Sequence, residues 1–203
     1  MTQLSSQDPQ SQGTQALGAQ APGAQPAGAP GTGAAFGDFT QEQVEALFIN
    51  AAREGEADLL SSFLDAGMDP NLRAEKGYTP LILASYNGHV EAVSTLLARG
   101  AKPDLQDEKG ATALAGVAFK GSLPLARLLL DAGAQVDVPN AVGRTPLMFA
   151  VMFGRDDMAK LLLGAGASPT HRDGEGLNAL DLAQRQGNAA LVALIKAQQA
   201  GQG

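Results

Sequence analysis

Residues 77–101 carry the sequence GYTPLILASYNGHVEAVSTLLARGA, and the pattern of this stretch returns along the chain at a fixed interval. Its three glycines belong to three columns, in which successive glycines are 33 residues apart. A fixed period of this length indicates a repeat architecture. The columns are Gly77, Gly110, Gly143 and Gly176; Gly55, Gly88, Gly121, Gly154 and Gly187; and Gly67, Gly100, Gly133 and Gly166.

The residues between the glycines predict two helices in each unit. After Gly88, apolar residues follow one another at helical spacing, namely Ala92, Val93, Leu96 and Leu97. Before it, Leu81 and Ala84 form a shorter apolar pair, and both patterns recur in the other units. Each unit is therefore predicted to be a helical hairpin, which makes the fold class all-α.

The motif resembles the ankyrin repeat. Gly77-Tyr-Thr-Pro-Leu81 followed by Gly88-His89 fits one copy, and Gly143-Arg-Thr-Pro-Leu147 opens another. The resemblance covers residues 40 to about 196 and implies a solenoid of about five helix-turn-helix units. The predicted repeats span about 40–73, 74–106, 107–139, 140–172 and 173–198.

The two ends of the array differ from the middle as terminal repeats should, because one face of an end unit stays exposed to solvent and must be polar. Thr40 with Gln43 fits a capping box, with Phe39 and Val44 at the spacing of a hydrophobic staple, so the folded domain is predicted to span 39–198. At the other end, Gln184 and Lys196 occupy positions that are mainly apolar in the preceding units. The fifth unit is therefore predicted to be a C-terminal cap.

Residues 1–38 are rich in Gly, Ala, Pro and Gln and contain no Lys or Arg. Such a segment buries too little apolar surface to offset the entropy of ordering it, so disorder is predicted. Two interpretations stay open, a tether or partner-binding segment and a solubilising extension with no role of its own.

Composition excludes several classes of function. The absence of cysteine excludes disulfides and thiolate zinc sites, and a net charge of −7 disfavours nucleic-acid binding. No stretch is long and apolar enough to cross a membrane, and no secretory signal is visible, so we expect a cytoplasmic protein.

No constellation typical of an enzyme, cofactor or metal site is evident. The two histidines are far apart in repeat register; His89 is interpreted as a hydrogen-bonding residue at a helix start and His171 as a loop residue. Phosphate loops, nucleophile elbows and zinc-binding helix motifs are absent from the sequence. We therefore expect no catalytic activity, no bound cofactor and no bound metal.

The family resemblance implies a groove for protein partners, formed by the hairpin tips and the first helix of each unit. By register, the residue two positions before each inter-helix glycine faces this groove: Arg53, Tyr86, Phe119, Met152 and Arg185. Phe153 and Lys120 lie in the adjacent column, and the tips add Lys76, Tyr78, Lys109 and Arg144. Aromatic, Met and Arg residues are enriched at interface centres, although the same rings could instead fill gaps between the first helices.

The function expected is therefore a non-catalytic interaction module, monomeric before it binds a protein partner. The resemblance to small bacterial ankyrin proteins implies an alternative, a structural or protective companion of an enzyme such as a catalase or another oxidative-stress protein.

Overall fold

The computed structural model describes residues 38–200, and these residues form ten α-helices and no strand. The all-α class is thereby confirmed. The segment predicted to be disordered, 1–38, lies outside the described residues except for Asp38. The helices are α1 Gln41–Glu54, α2 Ala57–Asp65, α3 Pro80–Asn87, α4 Val90–Ala98, α5 Ala113–Lys120, α6 Leu123–Asp131, α7 Pro146–Met152, α8 Asp156–Gly164, α9 Ala179–Arg185 and α10 Ala189–Ala200.

The helices pack as five pairs that are stacked in sequence order. The first helices of the units, α1, α3, α5, α7 and α9, each contact the next one in that row, and the second helices form a parallel row of their own. The two helices within each unit also contact each other. This is the arrangement that the 33-residue period predicts.

The core lies between the two rows of helices. The first helices contribute small residues there, for example Ala84 and Ala150, together with larger ones such as Leu81 and Leu114. Each second helix buries at least two large apolar side chains, and one of them recurs at the same register position in all five units, namely Phe63, Leu96, Leu129, Leu162 and Ile195. Burying a side chain of this size stabilises the fold by about 1.5–3 kcal/mol. The stack therefore derives its stability from apolar contacts that each unit shares with its neighbours.

Local signals define where the helices begin and end. The Thr40 hydroxyl accepts the N–H of Gln43, and the Gln43 side chain accepts the N–H of Thr40, as the capping-box prediction requires. In the fifth unit, Asn178 takes the place of the threonine cap and forms a second capping box with Asp181. Gly88 ends α3 with a φ of 91°, which a residue with a Cβ rarely adopts.

Three details differ from the sequence-based expectations. Phe39 is 57% exposed, so the proposed staple with Val44 leaves most of that ring in solvent. Ser122 occupies the N-cap position of α6, yet its hydroxyl makes no capping bond. Finally, α10 continues to Ala200, beyond the predicted domain end. Within the described part of the chain, no helix has the length and apolar character needed to span a bilayer.

Ser85 on α3 offers a direct test of the packing. It is 1% exposed, and its hydroxyl has no hydrogen-bond partner within residues 38–200. Ala52 and Ala118, one period before and after, are buried at the same position. Because a buried unpaired hydroxyl is unfavourable, Ser85→Ala is expected to raise the free energy of unfolding by about 1 kcal/mol in urea titrations followed by circular dichroism.

The matched control is Ser94→Ala, at an exposed position of α4. That substitution gains helix propensity only and should change the free energy of unfolding by about 0.5 kcal/mol or less. A smaller gain for Ser85→Ala than for Ser94→Ala would contradict the interpretation of Ser85 as an unsatisfied group.

Candidate functional site: a groove between the hairpin tips and the first helices

The hairpin tips are joined by main-chain hydrogen bonds between neighbouring units. The N–H of Glu108 donates to the carbonyl of Lys76 at 3.0 Å, and the N–H of Ala141 donates to the carbonyl of Lys109 at 2.9 Å. At the next junction the N–H of Gly174 donates to the carbonyl of Val142, also at 2.9 Å. The tips therefore form a continuous wall along one side of the first helices.

Side chains brace each tip from within. The Oδ1 atom of Asp107 accepts the N–H groups of Lys109 and Ala111, and Asn140 and Asp173 make the equivalent pair of bonds in the next two units. Such bonds hold a turn in one conformation. The tips thus enter any binding event already ordered.

The pKa of Asp173, a buried acid of the wall, is shifted by its surroundings. Its burial favours the neutral carboxyl and would raise the pKa, but the N–H groups of Leu177 and Glu175 and the guanidinium of Arg144 outweigh burial. The pKa of Asp173 therefore lies below its ordinary value, and the carboxylate is ionised at neutral pH. Arg144 bonds Asp173 at 3.2 Å and Glu175 at 2.8 Å. Its guanidinium is already paired inside the wall.

A cavity of about 430 Å³ opens between the tips and the first helices of the second to fourth units. Its lining includes Tyr78, Ile82, Leu83, Tyr86, Asp107, Ala111, Thr112, Ala113, Ala115, Gly116, Phe119 and Phe149. Gly116 lies within α5 at the register position that Leu83 holds in α3 and Phe149 in α7. The missing side chain leaves space between these two neighbours. A Cβ at Gly116 would meet only Tyr86 Cδ2, at 3.4 Å.

An aromatic row runs along the rim of this cavity. The rings of Tyr86 and Phe119 stack with centroids 6.1 Å apart at 11°, and Phe119 meets Phe153 edge-on at 4.4 Å. Tyr86 and Phe153, at the two ends, are 45% and 44% exposed. The Nζ atom of Lys120 lies 4.6 Å from the Tyr86 ring centroid, within the range of a cation–π contact. The structure thus brings together four of the residues singled out in the sequence.

The ends of the first helices are tied to the following units. His89 Nε2 lies 2.9 Å from the carbonyl of Arg53, and Arg155 Nε donates to the carbonyl of Phe119 at 3.1 Å. Gln186 Nε2 donates to the carbonyl of Met152 at 2.7 Å. His89 is the N-cap residue of α4 and its ring forms a hydrogen bond, as the sequence predicts, but that bond reaches the preceding unit and does not cap α4.

These residues satisfy main-chain carbonyls that the end of a helix leaves without an intrahelical partner. His171 is indeed in a loop, where its Nε2 lies 2.9 Å from the carbonyl of Gly143. No group of three or more potential metal ligands occurs among the residues that the structure describes.

Comparison with known protein families identifies the family to which this architecture belongs. The family model described as ankyrin repeats (3 copies) matches residues 48–140, 95–173 and 118–201, which together cover more than half of the chain. The chain belongs to the ankyrin-repeat family. Ankyrin repeats generally mediate protein–protein interaction. No curated protein matches the sequence.

The other groove residues inferred from the ankyrin register have different environments. Met152 is half-buried and packs against the core, so Phe153 rather than Met152 continues the aromatic row. Arg53 donates to the side chain of Asn50, whereas Arg185 is exposed at the far end. Lys76 and Lys109 are exposed on the tips, and Lys76 adopts a φ of 61°.

Sequence reasoning missed the cavity floor of this ankyrin array. Gly116 and Phe149 were not among the predicted groove residues, because those came from the columns next to the inter-helix glycines and from the tips. The available signal was a glycine inside a helix, at a position where neighbouring units carry large apolar residues. A glycine there costs about 0.5–1 kcal/mol relative to alanine, which made it worth explaining.

Proposed function

We propose that this ankyrin-repeat protein is a non-catalytic interaction module that binds a partner protein through the groove between its tips and first helices. The observation that supports this most is the aromatic row of Tyr86, Phe119 and Phe153 beside an open, mainly apolar cavity. Exposed aromatic groups gathered around a cavity are typical of binding surfaces.

The energetics favour binding by a preformed surface. Tyr and other large aromatic side chains bury much area on contact while losing few rotatable bonds. Here each ring of the aromatic row already contacts the next ring, and hydrogen bonds between units hold the wall formed by the tips. Little further ordering is needed on association, so less of the interaction free energy is lost to entropy.

The alternative, that these rings only fill gaps in the fold, applies to part of the row. Phe119 and Met152 are half-buried, and Met152 packs against the core. Tyr86 and Phe153 leave nearly half of their surface in solvent. A test of binding should therefore change the exposed pair and leave the half-buried pair in place.

The experiment is affinity capture from a lysate of the source organism with the full chain as bait. The double variant Tyr86→Ala/Phe153→Ala is expected to lose at least about tenfold in the recovery of the partner, because two contact residues are truncated. The measurement is the ratio of each captured protein between variant and wild type by mass spectrometry. Circular dichroism melts verify that the variant remains folded.

The control is Val90→Ala/Leu59→Ala, which truncates two exposed apolar side chains on the second helices, outside the groove. It should capture the partner as wild type does. Equal recovery by both double variants would remove the groove from consideration. The companion alternative would use the same surface, and a catalase among the groove-dependent proteins would support it.

A further inference from the structure

We infer that the groove receives an acidic peptide segment of its partner, which inserts one large apolar side chain into the cavity above Gly116. This inference rests on the proposed function and specifies the chemistry of what is bound. It combines two features of the same surface, the apolar lining of the cavity and the charges along its rim.

The cavity is suited to an apolar group because most of its lining is carbon and two of its polar side-chain atoms already accept hydrogen bonds. Asp107 Oδ1 already accepts two main-chain N–H groups, and the Thr112 hydroxyl accepts the N–H of Ala115. The remaining surface consists mainly of aromatic and aliphatic carbon around Gly116. An apolar side chain entering here would contact this carbon surface and displace water from it.

The turns that follow the first helices carry positive charge in a protein that is acidic as a whole. In the second to fifth units, the two residues before each inter-helix glycine and the one after it include no acidic residue. They include Lys120 beside the cavity, Arg155 in the next unit and Arg185 at the far end of the stack. On the opposite side, the tip contributes the Asp107 carboxylate to the lining. The net charge of the chain is −7, so these turns contrast with the rest of the molecule. Acidic residues Glu54 and Glu56 flank the glycine of the first unit only.

Lys120 joins the two features. Its ammonium lies over the ring of Tyr86, a residue that lines the cavity, and it forms no ion pair within residues 38–200. A carboxylate close to the inserted side chain would therefore meet a cation that is not already paired with an acid. Complementary charge of this kind selects partners and speeds their association. A basic segment would be repelled at the same place.

A selection from random peptides tests the inference without knowledge of the partner. A displayed library of random twelve-residue peptides is panned on the full chain and, in parallel, on Gly116→Met. The helix accepts a side chain at Gly116, whose φ is not positive, and methionine would occupy the cavity. Peptides enriched on wild type are expected to have net negative charge and one Leu, Met or aromatic residue, and to bind Gly116→Met at least tenfold more weakly.

Charge variants separate the two parts of the inference. Fluorescence anisotropy of an enriched peptide should show about three- to tenfold weaker binding to Lys120→Gln. The matched control Lys160→Gln, which removes a lysine charge from α8 in the second row, should bind unchanged. Equal loss in both variants, or enrichment of neutral or basic peptides, would overturn the acidic preference. No enrichment over Gly116→Met would overturn the cavity as the anchor.

Failure of this inference can be distinguished from failure of the proposed function. If the natural partner is captured in a manner that depends on Tyr86 and Phe153, yet selected acidic peptides do not compete with it, then the groove binds a protein and the acidic segment is wrong. If capture does not depend on these rings, the proposed function itself fails.

Discussion

Gly110→Ala is expected to lower the free energy of unfolding by about 3 kcal/mol or more, a large fraction of the stability of a domain of this size. Two effects add. Gly110 has a φ of 74°, a left-handed conformation that costs a residue with a Cβ about 1–2 kcal/mol. In addition, a Cβ there would lie 2.6 Å from the main-chain nitrogen of Ala141 in the next unit. Since that nitrogen donates to Lys109, relief of the clash would disturb the junction between two tips.

Gly133→Ala is the matched control, because Gly133 has a similar φ of 86° but a Cβ added there would have no neighbour within 4 Å. It should cost only the conformational part, about 1–2 kcal/mol. Urea-induced unfolding followed by circular dichroism gives both values. Equal losses would show that the tips do not need their close approach at Gly110.

Leu129→Ala is the second substitution with a large expected effect. Leu129 lies on α6, the second helix of the middle unit, and is 0% exposed. It occupies the register position at which the second helix of each unit buries a large side chain. Truncation removes the apolar contacts and leaves a cavity, for which losses of about 2–5 kcal/mol are typical. Because the middle unit has neighbours on both sides, it cannot relieve the defect by fraying from an end.

Leu59→Ala makes the same chemical change on α2, where the side chain is 41% exposed. We expect a loss of less than about 1 kcal/mol, since little buried surface is removed. Thermal and urea melts of the two variants should therefore differ clearly. A Leu129→Ala protein as stable as Leu59→Ala would mean that the second helices do not carry the core.

The architecture was predictable because the period of the glycines and the helical spacing of the apolar residues depend on local chemistry. The 33-residue interval between Gly88 and Gly121 predicts the units, and the Thr40 and Gln43 pair predicts the first helix start. The helical spacing and the capping pair act within a few residues of the position they determine, and the glycine interval repeats such a local pattern along the chain. Ser122, by contrast, has the side chain of a helix cap but makes no capping bond, since a propensity does not guarantee the contact.

The candidate site was predictable in part. Register alone aligned Tyr86 with Phe119, and the structure stacks these two rings. Register could not tell that Met152 turns toward the core while Phe153 continues the row, because both lie at the end of α7. The pairing of Arg144 with Asp173 likewise depends on the distance between two tips, which a sequence does not give.

Gly116, inside α5, is a position at which the size of the cavity could change during evolution. Leu83, Gly116 and Phe149 occupy equivalent positions in three successive first helices, whereas the large side chains that the second helices bury, such as Leu129, lie in the other row. A single substitution at Gly116 could thus change the volume of the cavity without altering the buried contacts between the helices. Under the proposed function, substitutions at this position would change which side chains the groove accepts, while the contacts that stabilise the stack would stay in place.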